Sequence, residues 1–196
     1  MTAALNARQP RVLADLVPGG IVRDVALVVG SAALVGLSAQ VSIPLSFTPV
    51  PITLQTFAVL MSGAALGPLR GVAGMLLYLG AGAAGVPWFS EQTSGVGFPS
   101  FGYIIGFVLA GGIVGWLARR GMDRSVPGTI GLMVLGNLVI YAIGVPYLAA
   151  WLGAPLSTAI EYGLTPFLIG DGLKILLAAG LLPAAWHLTG RRSAPD

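Results

Sequence analysis

Cysteine is missing from all 196 residues, so no disulfide, thiolate metal site or cysteine nucleophile exists in this chain. Charge is nearly missing as well. Asp, Glu, Lys and Arg together make up 9% of the residues, against about a quarter in an ordinary soluble domain. There is one histidine, His187, and no His/Asp/Glu group has metal-ligand spacing, nor does a Ser–His pair lie at a common depth. No cofactor and no metal are expected on these grounds, and a membrane enzyme is disfavoured. The phosphate-cradling pattern G-x-x-x-x-G-K-[ST] is absent, so the chain is not itself a P-loop ATPase. Gly80-Ala81-Gly82-Ala83-Ala84-Gly85 spells G-x-G-x-x-G, but it closes an apolar helix and follows no strand, so it marks no dinucleotide site. The pI of about 9.7 does not mean nucleic acid either, because the basic residues do not cluster on a soluble face.

What remains is apolar. Hydrophobic residues make up 56% of the chain and mean hydropathy is +0.88, so much of the surface must face lipid. The 29 glycines and 14 prolines fit a membrane protein, where both are commoner in helices than in soluble folds. The expected fold is an all-α integral membrane protein, a bundle of six transmembrane helices forming one domain over residues 1–196. The apolar segments run at about 22–39, 52–67, 71–87, 101–118, 128–150 and 165–188. Residues 1–20 read as a short amphipathic tail rather than a signal peptide, and 189–196 as a second tail.

Charge placement gives the bundle its sides. Arg8, Arg11 and Arg23 precede the first segment, and Arg70 separates the second and third. Arg119, Arg120 and Arg124 lie between the fourth and fifth, and Arg191 and Arg192 follow the sixth. With six spans all nine fall on one side, while the opposite loops at 40–51, 88–100 and 151–164 hold no Lys or Arg. The positive-inside rule then puts both termini in the cytoplasm and the protein in the cytoplasmic membrane.

Lys174 is the one base left over. It sits three residues after Asp171 within the sixth segment, so the two side chains share a helix face. A charge inside a bilayer costs at least ~2.5–3.5 kcal/mol on insertion scales, so an acid and a base together favour a functional site over the alternative of a structural ion pair tying the sixth segment to a neighbour. At ~1.5 Å rise per residue, Lys174 lies about 12 Å inward from Pro166, and Asn137 about 13 Å inward from Pro146. Tyr141 lies one turn further out, and Tyr103, Gln55 and Thr53 start their spans near the outer surface. An outward cavity floored by Asn137 and Lys174 follows if these faces point inward. Pro146 is expected to kink or end the fifth helix. The loop Ser42–Pro51 carries three prolines and is expected to be stiff and extended, either a cover for the cavity or just a connector at the interface. Trp88 and Phe89 are expected to bring aromatics to the outer surface.

Small-residue stripes suit close helix packing. One runs through Gly102, Gly106, Ala110, Gly111 and Gly115, and others pair Ala26 with Gly30 and Ala32 with Gly36. Packing within the bundle explains such stripes, and docking of a partner membrane protein on the first helix is the sharper alternative. A homo-oligomer is left open.

One long block, Ile43-Pro44-Leu45-Ser46-Phe47-Thr48-Pro49-Val50-Pro51-Ile52-Thr53-Leu54-Gln55-Thr56-Phe57-Ala58-Val59-Leu60, resembles the signature of the BioY family. Gly102-Tyr103-Ile104-Ile105-Gly106-Phe107, Gly136-Asn137-Leu138-Val139-Ile140-Tyr141 and Pro166-Phe167-Leu168-Ile169-Gly170-Asp171-Gly172-Leu173-Lys174 follow in order. The resemblance implies a biotin-capturing S component of an energy-coupling factor (ECF) transporter, with a six-helix bundle and an outward pocket capped by the first outer loop. It also implies a membrane scaffold subunit and two ATPase subunits as partners, docking partly on small residues of the first helix. That family pattern is alanine–x–x–x–alanine, whereas both stripes here carry glycine second. Biotin would be the transported ligand. Asp171 would accept from a ureido N–H, Lys174 would donate to the ureido oxygen, and Asn137 would do either. Thr53, Gln55 and Tyr103 become candidates for the carboxylate tail, and Phe47, Trp88 and Phe89 for the thioether ring. A stand-alone secondary carrier with Asp171 as an ion site is the alternative, though no clear inverted repeat is visible.

Overall fold

Glycine marks where two of the apolar helices stop, at Gly67 and at Gly153. The computed structural model describes residues 11–190, which form seven α-helices and one β-hairpin. Arg8, Arg191 and Arg192 lie outside the described residues, as do the first half of the predicted N-terminal tail and most of the C-terminal one. The helices are α1 (Ile21–Gln40), α2 (Gln55–Leu66), α3 (Pro68–Ala83), α4 (Phe101–Ala118), α5 (Val126–Leu152), α6 (Leu156–Gly163) and α7 (Leu168–Gly190). Gly67, at φ +82°, turns the chain between α2 and α3, and Pro68 starts α3 where an N–H has no helical partner anyway. By length and composition, four helical stretches can cross a membrane: 21–40, 101–118, 126–152 and 156–189.

All six predicted apolar segments contain a helix, the fourth with the expected ends and the others with shifted ones. The second starts at Gln55 rather than 52, because Pro49 and Pro51 hold the preceding residues extended. The third stops at Ala83, and the sixth begins at Leu168 after a short 3-10 turn over Thr165–Phe167. The fifth does not end at Pro146. It continues to Leu152 and closes on Gly153 in the left-handed region.

The first outer loop is extended, as its prolines require, and it pairs with itself. Strands β1 (Ser42–Leu45) and β2 (Thr48–Thr53) run antiparallel, with Ser42 opposite Thr53 and Leu45 opposite Thr48. The register slips between Ile43 and Leu45, at Pro44, which has no N–H to give the ladder. Thr48 Oγ1 donates to the Tyr162 carbonyl at 2.8 Å, tying β2 to the end of α6.

Helix α4 is the centre of the bundle and packs against α2, α3 and α5. Its glycine stripe makes this approach possible. A Cβ on Gly63 of α2 would sit 2.8 Å from the Gly111 carbonyl oxygen, and one on Gly106 only 3.0 Å from the backbone of Ile140 in α5. In α4, then, the stripe serves packing within the chain. The stripes of α1 divide: Ala32 and Gly36 are buried, while Ala26 and Gly30 are exposed on the helix's outer face.

Helix α7 shows the same division by chemistry. Asp171, Lys174, Ala178 and Leu182 are buried at spacings of three and four, while Ile169, Leu173, Leu176, Leu177 and Leu181 are exposed. The polar pair therefore faces the bundle and the leucines face outward, the arrangement a bilayer demands.

Candidate ligand-binding site

The α7 pair is an ion pair. Lys174 Nζ lies 3.1 Å from Asp171 Oδ1, one helical turn away. Two buried charges need more than each other, because the lost hydration must be replaced by hydrogen bonds. Here it is. Tyr141 of α5 donates its hydroxyl to Asp171 Oδ2, and Lys174 Nζ donates to Thr56 Oγ1 of α2 at 2.9 Å. Three helices thus meet in one polar cluster. By donor count, Lys174 keeps one N–H, and each carboxylate oxygen keeps a lone pair, for a further partner.

These groups line a cavity whose empty volume, its mouth included, is about 460 Å³. Asp171, Lys174, Thr56 and Tyr141 form its polar part. Tyr103, Phe107 and Phe167 supply aromatic wall, and Tyr103 stands edge-on to Tyr141 at 6.3 Å between ring centres. Val50, Pro51 and Thr53 of β2 lie over it, and Gln55, Ser90 and Ser100 complete the lining. The hydroxyl of Tyr103 is already engaged, donating to the Gly163 carbonyl at 2.8 Å. Only glycine at 163 allows that approach, since a Cβ there would collide with the phenol oxygen.

Of the residues expected from sequence, Asp171, Lys174, Gln55, Thr53, Tyr103 and Tyr141 are brought together around this cavity. Asn137 is buried one turn below Tyr141 but is not among the lining residues, and its Oδ1 lacks a hydrogen-bond partner among the described residues. The three aromatics expected as cover are elsewhere. Phe47 is exposed at the hairpin turn. Trp88 is half-buried, its Nε1 donating to the Tyr78 carbonyl at 3.0 Å. Phe89, expected at the surface, is fully buried and packs edge-on to Tyr78 and against Phe98. Its ring rests over Gly82, where any Cβ would clash. Four lining side chains carried no sequence signal of a site role. Phe107 and Phe167 look like any apolar residue of a membrane helix, and Ser90 and Ser100 like any loop serine.

Comparison with known proteins agrees with this geometry. The family model described as "BioY family" matches residues 5–191. The "probable biotin transporter BioY" of Pyrococcus horikoshii is 38% identical over 159 residues, which is 80% of this chain and 91% of that one. The "biotin transporter BioY" of Rhizobium etli is 33% identical over 76% of this chain and 84% of its own. A crystal structure of the S-component for biotin from an ECF-type ABC transporter superposes with a TM-score of 0.75 at 25% identity, covering 83% of this chain and 90% of that one. A match across nearly the whole length, the shared fold and the buried Asp171–Lys174 cluster agree: the chain belongs to the BioY family.

Proposed function

We propose that this chain is a biotin-binding S component. It captures biotin from outside the cytoplasmic membrane and passes it inward with energy from a separate ECF module of one membrane scaffold and two ATPase subunits. The observation that carries this is the Asp171–Lys174 ion pair, buried, facing a cavity, and hydrogen-bonded to helices α2 and α5. No chemistry on the ligand and no cofactor is involved.

The ligand's polar ends suit the cluster. The ureido ring offers N–H donors to the free lone pairs of Asp171 and a carbonyl to the third N–H of Lys174, and bonds to charged partners are the stronger kind. The apolar ring then lies against Phe107 and Phe167. Ser90 and Ser100 are the hydroxyls left for the carboxylate tail. Asn137 supports the floor from beneath. Six spans, with both termini inside, are supported by the arginine distribution and put the hairpin and α6 outside. The short α2 and α3 then cross as part of a bundle. The exposed Ala26 and Gly30 of α1 are the docking stripe, whereas Ala32 and Gly36 belong to the chain's own packing.

The direct test is binding to the purified protein in detergent. A ligand that binds only the folded state raises the melting temperature in proportion to the logarithm of its concentration above Kd. Biotin is expected to do so and to co-purify, and a melting curve unmoved at saturating biotin would refute the assignment. Liposomes holding this chain alone are expected to show no concentrative uptake. Sustained uptake there would favour a stand-alone carrier.

A further inference from the structure

Gln55 lines the cavity, and its neighbours decide which end of its amide a ligand meets. The oxygen and nitrogen of a glutamine side chain have nearly the same shape, so their placement must be deduced from the hydrogen bonds around them. The Trp88 backbone carbonyl can only accept. Tyr78 Oη lies 3.3 Å from it, so the single phenolic proton is spent there. Gln40 Nε2, at the end of α1, donates to the same carbonyl at 3.2 Å. The Tyr78 oxygen is then left only to accept, and its remaining partner, at 2.9 Å, is the Gln55 side chain. Gln55 must therefore turn an N–H toward Tyr78. Its oxygen is left toward Thr53, whose hydroxyl lies 3.5 Å away and also lines the cavity.

Tyr78 has little freedom to release this hold. It is fully buried, its ring is 5.2 Å from those of both Trp88 and Phe89, and Trp88 Nε1 clasps its backbone carbonyl. It does not itself line the cavity. We propose that Tyr78 is a positioning residue that turns the Gln55 amide oxygen toward the cavity, so that the ligand group meeting Gln55 is an N–H or O–H donor rather than a carboxylate. On this proposal Gln55 meets a donor of the ligand rather than its carboxylate tail. The nature of the ligand group rests on the proposed biotin site, while the amide orientation stands on its own.

Two measurements test it. In protein labelled with 15N in its four glutamines, the Gln55 amide signals are identified by their loss in Gln55→Ala. Tyr78→Phe is expected to shift these signals and speed their exchange with solvent, with no ligand present, and unmoved signals would overturn the proposal. If Tyr78→Phe does not fold, fluorotyrosine incorporation keeps the ring while weakening the oxygen as an acceptor, and is expected to shift the same signals. The second measurement is a double-mutant cycle for biotin affinity. Tyr78→Phe should weaken binding about three- to tenfold alone, the size of one neutral hydrogen bond, and less than about twofold in the Gln55→Ala background. Equal losses in both backgrounds would show that Tyr78 acts otherwise than through Gln55. Wild-type protein that binds no biotin would remove the ligand assignment, and the amide signals would still decide the role of Tyr78.

Discussion

Lys174 reaches from α7 to α2 and donates to Thr56 Oγ1 at 2.9 Å, a bond between residues 118 positions apart. The same ammonium holds Asp171 at 3.1 Å, so one cation links the acid of its own helix to a hydroxyl of another. Electrostatics and tertiary packing are therefore coupled at this point. A ligand carbonyl that takes the remaining N–H of Lys174 also bears on how α2 and α7 sit together.

Asp171→Asn keeps the shape of the side chain and a carbonyl for the Tyr141 hydroxyl, but removes the charge. Lys174 then lies buried without a counter-ion, and a ligand N–H loses a charge-assisted acceptor. Biotin affinity is expected to fall at least about tenfold, equivalent to ~1.4 kcal/mol. Calorimetric titration of the detergent-solubilised protein checks this, and unchanged affinity would take Asp171 out of the site.

Lys174→Met and Thr56→Val separate the two jobs of the ammonium. Methionine leaves Asp171 buried and unpaired, so both affinity and folded yield should drop sharply. Valine at 56 removes one neutral acceptor and should cost only about three- to tenfold in affinity with a normal yield of monodisperse protein. A Thr56→Val loss as large as that of Lys174→Met would mean that the hydroxyl meets the ligand itself.

The polar heart of the site was legible in the sequence because charges are so costly in a bilayer that Asp171 and Lys174 stand out against their apolar surroundings. Its walls were not. Phe107 and Phe167 differ in no visible way from the many aromatic and aliphatic residues that face lipid, and only tertiary structure says which way they point. The three prolines announced an extended first loop but not its hairpin pairing, which depends on contacts across the turn. Helix α6 is eight residues long, too short for its pattern to rise above that of a loop. Phe89 was misplaced because an aromatic after a helix end usually marks the membrane boundary. Gly82, which opens the space that buries its ring, was the signal, and it was hidden within a run of glycine and alanine.

On the arginine-rich side, Asp123 provides a pH test remote from the ligand. It is fully buried in the turn between α4 and α5. Trp186 Nε1 donates to its Oδ2 at 2.7 Å, and its Oδ1 has no hydrogen-bond partner among the described residues. Burial lifts its carboxyl above the ordinary value, and the bond from Trp186 and the charge of Arg124 offset only part of this. The folded state thus keeps a proton over a pH window in which the unfolded chain has lost it. Stability must fall as pH rises through that window, which opens at the unfolded carboxyl value. Asp123→Asn keeps an acceptor for Trp186 and removes the titration. Thermal melts from about pH 4 to pH 8 should show wild type losing stability relative to the variant as pH rises, with the variant at least as stable near neutrality. A constant difference across the range would mean that the carboxyl does not titrate there.

Gly30 and Gly36 lie six residues apart on α1 and should respond in opposite ways to the same change. Among the described residues a Cβ on Gly30 would meet nothing within 4 Å, whereas one on Gly36 would lie 3.2 Å from the Trp88 ring. Gly30→Leu therefore adds bulk only to the outer face of the helix. Folded yield and biotin affinity should stay within about twofold of wild type, since a Cβ at this exposed position meets none of the described residues. If the Ala26–Gly30 face seats the scaffold subunit, the same leucine separates two helix backbones that small residues allow to touch, and uptake in cells carrying the full transporter should fall at least about tenfold. Gly36→Leu instead pushes on Trp88, whose carbonyl holds Tyr78 and Gln40, so it should lower stability and ligand affinity even in the isolated chain. Binding assays on purified protein together with uptake assays in cells distinguish the two. Normal uptake by Gly30→Leu would move the docking surface off this face of α1.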